Sequence, residues 1–350
     1  MTVPFSLRLA LAASAAVSLL PMSGAAQKPA ALPPQLDAYV TKYVKLSAGQ
    51  RAELMKGLPV AKILDGDQAH EVTAFGAVWI AAPVDNYLEE VHDIEQFERG
   101  ENFRITKLIS SPPRAEDFAQ MDLPPDDVAD LKSCRVGDCE LKLSESALTR
   151  ARKEIDFSKP TAKQDAERLA RTLALEYVTG YLEGGNARLA TYRDSARPTF
   201  VADEFRDMIE RMPALTEYLR DLKRYLLDFP QAQLPGSNSF LYWQEAKFGL
   251  KPTIRINHVV TLKRPTHAVV ASKMLYASHY FWTALELRVL VPDPARGSGF
   301  WFVSVNRSRS DGLTGFVGSM IRGKVRGEAQ KGMQASLKTT KMKLEQPARP

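Results

Sequence analysis

The sequence predicts an α+β protein: an antiparallel sheet and a long C-terminal helix, with a large helical insertion between the two halves of the sheet. Three observations carry this. From about residue 236 the chain alternates as strands do. In "TIRINHVVTLKR", Ile254, Ile256, His258, Val260 and Leu262 share one face, and Thr253, Arg255, Asn257, Thr261 and Lys263 the other. Residues 113–235 instead open with a Pro- and Asp-rich stretch and continue with helical spacing, as in Leu169, Leu173, Tyr177 and Tyr181 at successive i+4 positions. The chain then closes on "GFVGSMIRGKVRGEAQKGMQASLKTTKMKLE", whose apolar stripe is Ile321, Val325, Ala329, Met333 and Leu337.

The N-terminus reads as a cleaved secretory signal over residues 1–26. Arg8 is the positive n-region, residues 9–20 are apolar, and Gly24 and Ala26 are small residues before a cut at Gln27. The mature chain is therefore expected in the periplasm or outside the cell. Residues 27–35 read as a Pro-rich, flexible leader. In "LSAGQRAELMKG" Ser47 and Gln50 have the spacing of a capping box and Gly57 is a natural stop. "PVAKILD" and "HEVTAFGAVWIAAP" are strands by composition, "VDNYLEEVHDIEQFERG" is helical, and "FRITKLISSPP" returns to a strand. These segments place an α+β domain at 36–112 and 236–345. Residues 113–235 hold a cysteine loop and the insertion. The Gly184-Gly185 pair reads as a break between helices. "HAVVASKMLYASHYFWTALELRVLVP" is either one long bent strand or two in sequence.

Composition is that of an ordinary globular chain, with 45% hydrophobic and 25% charged residues. A net charge of +6 over 350 residues gives no reason to expect a nucleic-acid partner. There is no HExxH, no phosphate-binding Walker loop, no GxSxG and no CxxC. The five histidines stand too far apart in sequence for a helical or single-strand metal pair. No cofactor, metal or catalytic residue is nominated on these grounds, and a binding role ranks above an enzymatic one.

The strand and helix of "AVWIAAPVDNYLEEVHDIEQFERG", with "VVASKMLYASHYFWTALELRVLVP" and the final helix, resemble the START/polyketide-cyclase (SRPBCC) superfamily with its helix-grip fold. The resemblance covers residues 70–112 and 240–345. It implies a curved antiparallel sheet wrapped on the C-terminal helix, with an apolar cavity between them. The insertion departs from the family's compact pattern. "CRVGDCELKL" and "SRSDGL" also resemble stretches of exported bacterial proteins, a likeness that supplies no activity.

Within that picture the candidate ligand-binding residues are His258, Tyr276, His279, Tyr280, Trp282 and Arg309. A neutral imidazole at His258 suits a polar ligand group or acid–base work, although such a histidine is more often a core residue satisfied by a neighbour. Tyr276, His279, Tyr280 and Trp282 offer apolar area with polar tips for a lipid or another hydrophobic small molecule, and equally an ordinary β core. Arg309 could hold an anionic head group, or pair with a carboxylate and pin its turn. The basic C-terminal helix reads as a solvated face or as a peripheral membrane contact. Three functions follow in rank: a carrier of a hydrophobic small molecule, an envelope scaffold, and a cyclase- or hydrolase-type enzyme using the cavity histidines. Cys134 and Cys139 are the two cysteines of a chain read as exported, so they are expected to pair across "RVGD". Redox and metal roles are the alternatives.

Overall fold

Most strands of the large sheet are rich in β-branched and aromatic residues and are flanked by Gly, Pro or Asp, which is why the chain pleats and turns there. A computed structural model describes residues 31–67, 69–248, 251–311 and 315–346. The expected signal peptide, and the first residues of the expected leader, lie outside the described residues. From Ala31 the chain clusters as one unit.

The leader proves shorter than expected. Leu32 is buried in the core, and α1 (Pro34–Tyr39) begins with a proline in its first turn. α2 (Ala48–Met55) has the expected capping box. Ser47 Oγ accepts from Gln50 N at 3.2 Å, and Gln50 Oε1 accepts from Ser47 N at 3.0 Å. β1 (Val60–Leu64) and β2 (Glu71–Ile80) follow, then α3 (Val84–His92), α4 (Ile94–Phe97) and β3 (Phe103–Ile109). The insertion comprises α5 (Pro125–Ser133), α6 (Glu145–Glu154), α7 (Ala162–Gly184), the short pair β4 (Thr191–Tyr192) and β5 (Thr199–Phe200), α8 (Val201–Glu210) and α9 (Arg220–Asp228). The chain then runs through β6 (Ser237–Phe248), β7 (Lys251–Arg264), β8 (His267–Ala277), β9 (Phe281–Pro292) and β10 (Phe300–Ser310) to α10 (Gly315–Glu345). The long aromatic stretch is thus two strands, parted at Tyr280, whose φ of 63° lies in the left-handed region.

The eight-stranded sheet is open and antiparallel, in the order β1-β2-β10-β9-β8-β7-β6-β3. Its register separates two faces. Gly76, Ser304, Arg288, Val270 and Thr261 are successive partners on one face; Phe75, Val305, Leu287, Ala271 and Val260 are successive partners on the other. α10 covers the first. Met333 and Leu337 pack over Gly76, where an added Cβ would lie 2.6 Å from Met333 Sδ. Gln334 reaches the Pro59 carbonyl and Lys341 the Trp79 carbonyl, both at 2.7 Å. The apolar stripe read from the sequence is only half docked, because Ile321 and Val325 are 45% and 38% exposed.

The insertion covers the second face. Phe205, Met208, Leu222 and Leu226 of α8 and α9 pack with Phe75, Val260, Ala271 and Leu287. α7 ends where the glycine pair predicts. Gly185 has φ 57°, and a Cβ there would sit 1.6 Å from the Phe229 carbonyl oxygen, so only glycine lets the two segments approach.

Candidate functional site: a cavity under the helical insertion

A cavity of about 370 Å³ lies between the insertion and the sheet. Its roof is α7, whose row of Leu169, Leu173 and Tyr177 faces inward. The neighbouring row, Ala166, Ala170 and Ala174, is small. Large and small rows side by side on one helix leave volume that the sheet below does not fill. Leu131 of α5, Leu141, Leu143, and Ala147 and Ala151 of α6 form the wall; Ile254 and Ile256 of β7 and Tyr276 of β8 form the floor. Ser146, Glu176 and Arg188 line the cavity and are exposed, so they mark its mouth. Ile256 stands on the sheet face opposite α10. The resemblance implies a cavity between sheet and C-terminal helix; this one lies on the other side, because the insertion supplies its roof.

One wall is polar. Asp127, at 1% exposure, lines the cavity from the first turn of α5, and its Oδ1 lies 3.0 Å from His279 Nε2. The other ring nitrogen, Nδ1, lies 3.1 Å from the Glu140 carbonyl. A carbonyl only accepts, so Nδ1 carries a proton. The proton between Nε2 and Oδ1 then belongs to an imidazolium–carboxylate pair or to an imidazole–carboxylic acid pair, and in both cases the dyad is neutral. With both nitrogens engaged, His279 offers neither a proton nor a lone pair to a molecule in the cavity. Asp127 Oδ2 is buried without a partner. Tyr276 makes ring contacts with Tyr177 and Tyr192, and its hydroxyl bonds to no described residue. Burial, and then the Asp127 charge, push its pKa up. Lys142, also on the wall, is held by Asp194 at 2.8 Å and Asp311 at 2.7 Å.

The cysteines form a disulfide with an S–S distance of 2.01 Å. Gly137, at φ 88°, makes the turn between them. The loop is docked by Gly137 N donating to the Arg193 carbonyl at 2.7 Å and Cys139 N to the Asp194 carbonyl at 2.9 Å. The bridge ties the end of α5, which carries Asp127 and Leu131, to the 140–144 stretch that carries the His279 acceptor and Leu141. It is a clamp on the cavity wall.

His258 faces the insertion but does not line the cavity. Its Nδ1 meets the Tyr181 hydroxyl at 2.9 Å, and its ring centroid lies 4.7 Å from that of Phe229. Burial, with Lys273 beside it, pushes its pKa down to about 3. Lys273, its register partner on β8, is buried with no carboxylate partner among the described residues; it donates to Asn186 Oδ1 and to Tyr181 Oη. Burial lowers its pKa well below the ordinary amine value. No motif or spacing singles out this lysine, although its place inside "HAVVASKMLYAS" is a visible signal. Nor does any spacing relate Asp127 to His279.

Of the six candidate residues, Tyr276 lines the cavity, and His279 stands directly behind Asp127. The Tyr280 hydroxyl accepts from Lys251 N at 2.8 Å, Trp282 makes a tilted ring contact with His70 at 5.0 Å between centroids, and Arg309 is buried beside Glu204 at 2.8 Å and Asp67 at 3.7 Å. These three do not line the cavity. Among the described residues no group of three or more His, Cys, Asp or Glu side chains could hold a metal ion.

Fold and site together define an α+β protein with an open eight-stranded antiparallel sheet and a long C-terminal helix, compatible with a helix-grip arrangement, whose cavity is roofed by an insertion. No family model matches the chain, and no curated protein matches it. Among the described residues no helix is long and apolar enough to cross a membrane. The disulfide is compatible with an exported protein.

Proposed function

We propose that the protein binds or carries a lipid fragment or another hydrophobic small molecule in the cavity under α7, as an exported member of the START/polyketide-cyclase-like group. The observation that carries the reading is the cavity itself: about 370 Å³ walled mainly by leucine, alanine and isoleucine, within the size of small-molecule sites. A scaffold role expects a filled insertion core, and the void argues against it. An enzymatic role needs an accessible imidazole, whereas His279 is fully engaged and His258 is sealed behind the wall. The test is native mass spectrometry of purified protein, alone and with a neutral naphthalene probe. A bound hydrophobe, or one-to-one uptake of the probe, is expected in the wild type, and loss of uptake in Leu173→Trp, which fills the void. A folded wild type that carries nothing and takes up nothing defeats the reading.

A second reading, contact of α10 with an anionic bilayer surface, is favoured by the exposed Ile321 and Val325 beside Lys324. Sedimentation with phosphatidylglycerol vesicles tests it. Binding should fall in Ile321→Ser/Val325→Ser, and wild-type protein that stays in the supernatant refutes it.

A further inference from the structure

We infer that the molecule bound in the cavity carries a neutral hydroxyl head, which accepts a hydrogen bond from Tyr276 Oη and donates one to Asp127 Oδ2. The inference rests on the binding reading above and adds the chemistry of the ligand's polar end. Two observations carry it. In a cavity of apolar walls, the Tyr276 hydroxyl has no partner among the described residues. On the same lining, where burial raises the Tyr276 pKa and the nearby Asp127 charge raises it further, Asp127 lies at 1% exposure with one carboxylate oxygen unpartnered. A buried polar atom left unpaired is costly, so Asp127 Oδ2, with the unbonded Tyr276 hydroxyl on the same lining, selects a ligand whose head pairs both.

The proton count of the dyad then fixes the kind of head. Because His279 Nδ1 gives its hydrogen to the Glu140 carbonyl, one proton is shared between Nε2 and Oδ1, and Oδ2 is an acceptor in either arrangement. The dyad is neutral overall, and Lys142 is already balanced by Asp194 and Asp311. Glu176 and Arg188 are exposed at the mouth, so at the buried Asp127 an ammonium head would bring an uncompensated charge, and a carboxylate head would face Oδ2 acceptor to acceptor. A hydroxyl meets both groups, since it accepts from the phenol and donates to the carboxylate.

Three probes of one shape separate these cases: 1-naphthalenemethanol, 1-ethylnaphthalene and 1-naphthylmethylammonium. Each is measured by displacement of N-phenyl-1-naphthylamine from the intact protein and corrected for its own water–octanol partitioning. The alcohol should bind about tenfold tighter than the hydrocarbon, the effect of one or two net hydrogen bonds, and tighter than the ammonium. Tyr276→Phe and Asp127→Asn should each reduce the preference to about threefold or less. Equal binding of alcohol and hydrocarbon, or a preference for the ammonium, overturns the inference while leaving the binding reading standing. If no probe binds, both fall. Should either variant fail to fold, the wild-type ranking alone decides.

Discussion

The two faces of the sheet are covered by different means and carry different chemistry. On the α10 face a helix lies directly on Gly76, and beyond it the sheet presents a band of polar side chains, Gln244, Arg255, Ser272 and Glu286 among them. There, burial and the nearby Glu286 carboxylate raise the pKa of Glu98. On the insertion face, several shorter helices meet the sheet, leave a void, and enclose a lysine and a histidine held in their neutral direction. One long helix can match a groove along its whole docked length, whereas a set of short helices leaves gaps where their rows of small residues face the strands. The close contact at Gly76 and the cavity under α7 thus lie on opposite sides of one sheet.

The sharpest test of that division is pH. His258 has a folded-state value of about 3 against 6.5 in the unfolded chain, so its contribution is complete above 6.5 and is lost as pH falls toward 3. The slope is about 1.4 kcal/mol per pH unit, or about 4 kcal/mol across three units. Glu98 has the opposite sign: its raised value gives stability that is complete below 4.5 and is lost as pH rises through the folded-state value. Between pH 6.5 and 4 the two groups pull in opposite directions, so denaturant unfolding is compared with a variant lacking the imidazole, and hydrogen exchange should quicken in α7 before α10. His258→Phe should have the shallower slope. An unchanged slope in that variant would remove the buried imidazole from the account.

Steric substitutions come next. Gly76→Leu drives a side chain into Met333 and Leu337, so a loss of about 3 kcal/mol is expected from chemical denaturation. Removing the disulfide as Cys134→Ser/Cys139→Ser should lower stability by about 2 kcal/mol on the loop-closure estimate and weaken probe binding through the slackened wall. The smallest effect belongs to Ala170→Leu, which enters the void. Stability should stay within about 1 kcal/mol of wild type while probe binding declines. Comparable losses for Gly76→Leu and Ala170→Leu would show that the two faces do not differ in free volume.

Much of this architecture was legible in the sequence. Alternation across Thr253–Lys263 identifies a strand buried on one side by apolar residues and assigns His258 to that side. Ser47 with Gln50, and Gly184-Gly185, mark helix boundaries where the structure has them. What periodicity cannot convey is which element covers a given face. β2 is buried along its whole length, on both sides, so its residues do not distinguish the α10 face from the insertion face. The same limit governed the site. Tyr276 and His279 stand out as aromatic and titratable residues in a strand segment. Asp127 lies about 150 residues away, in a "PPDD" stretch that reads as a loop, and only tertiary packing brings it to His279. The stripe on α10 misled for a related reason: an apolar row shows where a helix can dock, not how far along its length a partner extends.

The place where the insertion joins the sheet has a consequence for how the chain folds. β3 and β6 are antiparallel neighbours, with Ile109 opposite Leu241, so everything between them occupies the position of a hairpin loop. Closing that pair over more than a hundred residues costs on the order of 3 kcal/mol more chain entropy than a four-residue turn would. The insertion has a cluster of its own, in which Leu131, Leu148, Ile155 and Leu169 gather around the disulfide loop. Order within that cluster shortens the effective loop before the strands meet. In kinetic terms the outermost pairing, β3 on β6, is expected to wait on the helices, so pulse-labelling hydrogen exchange should protect the edge of the sheet after its middle.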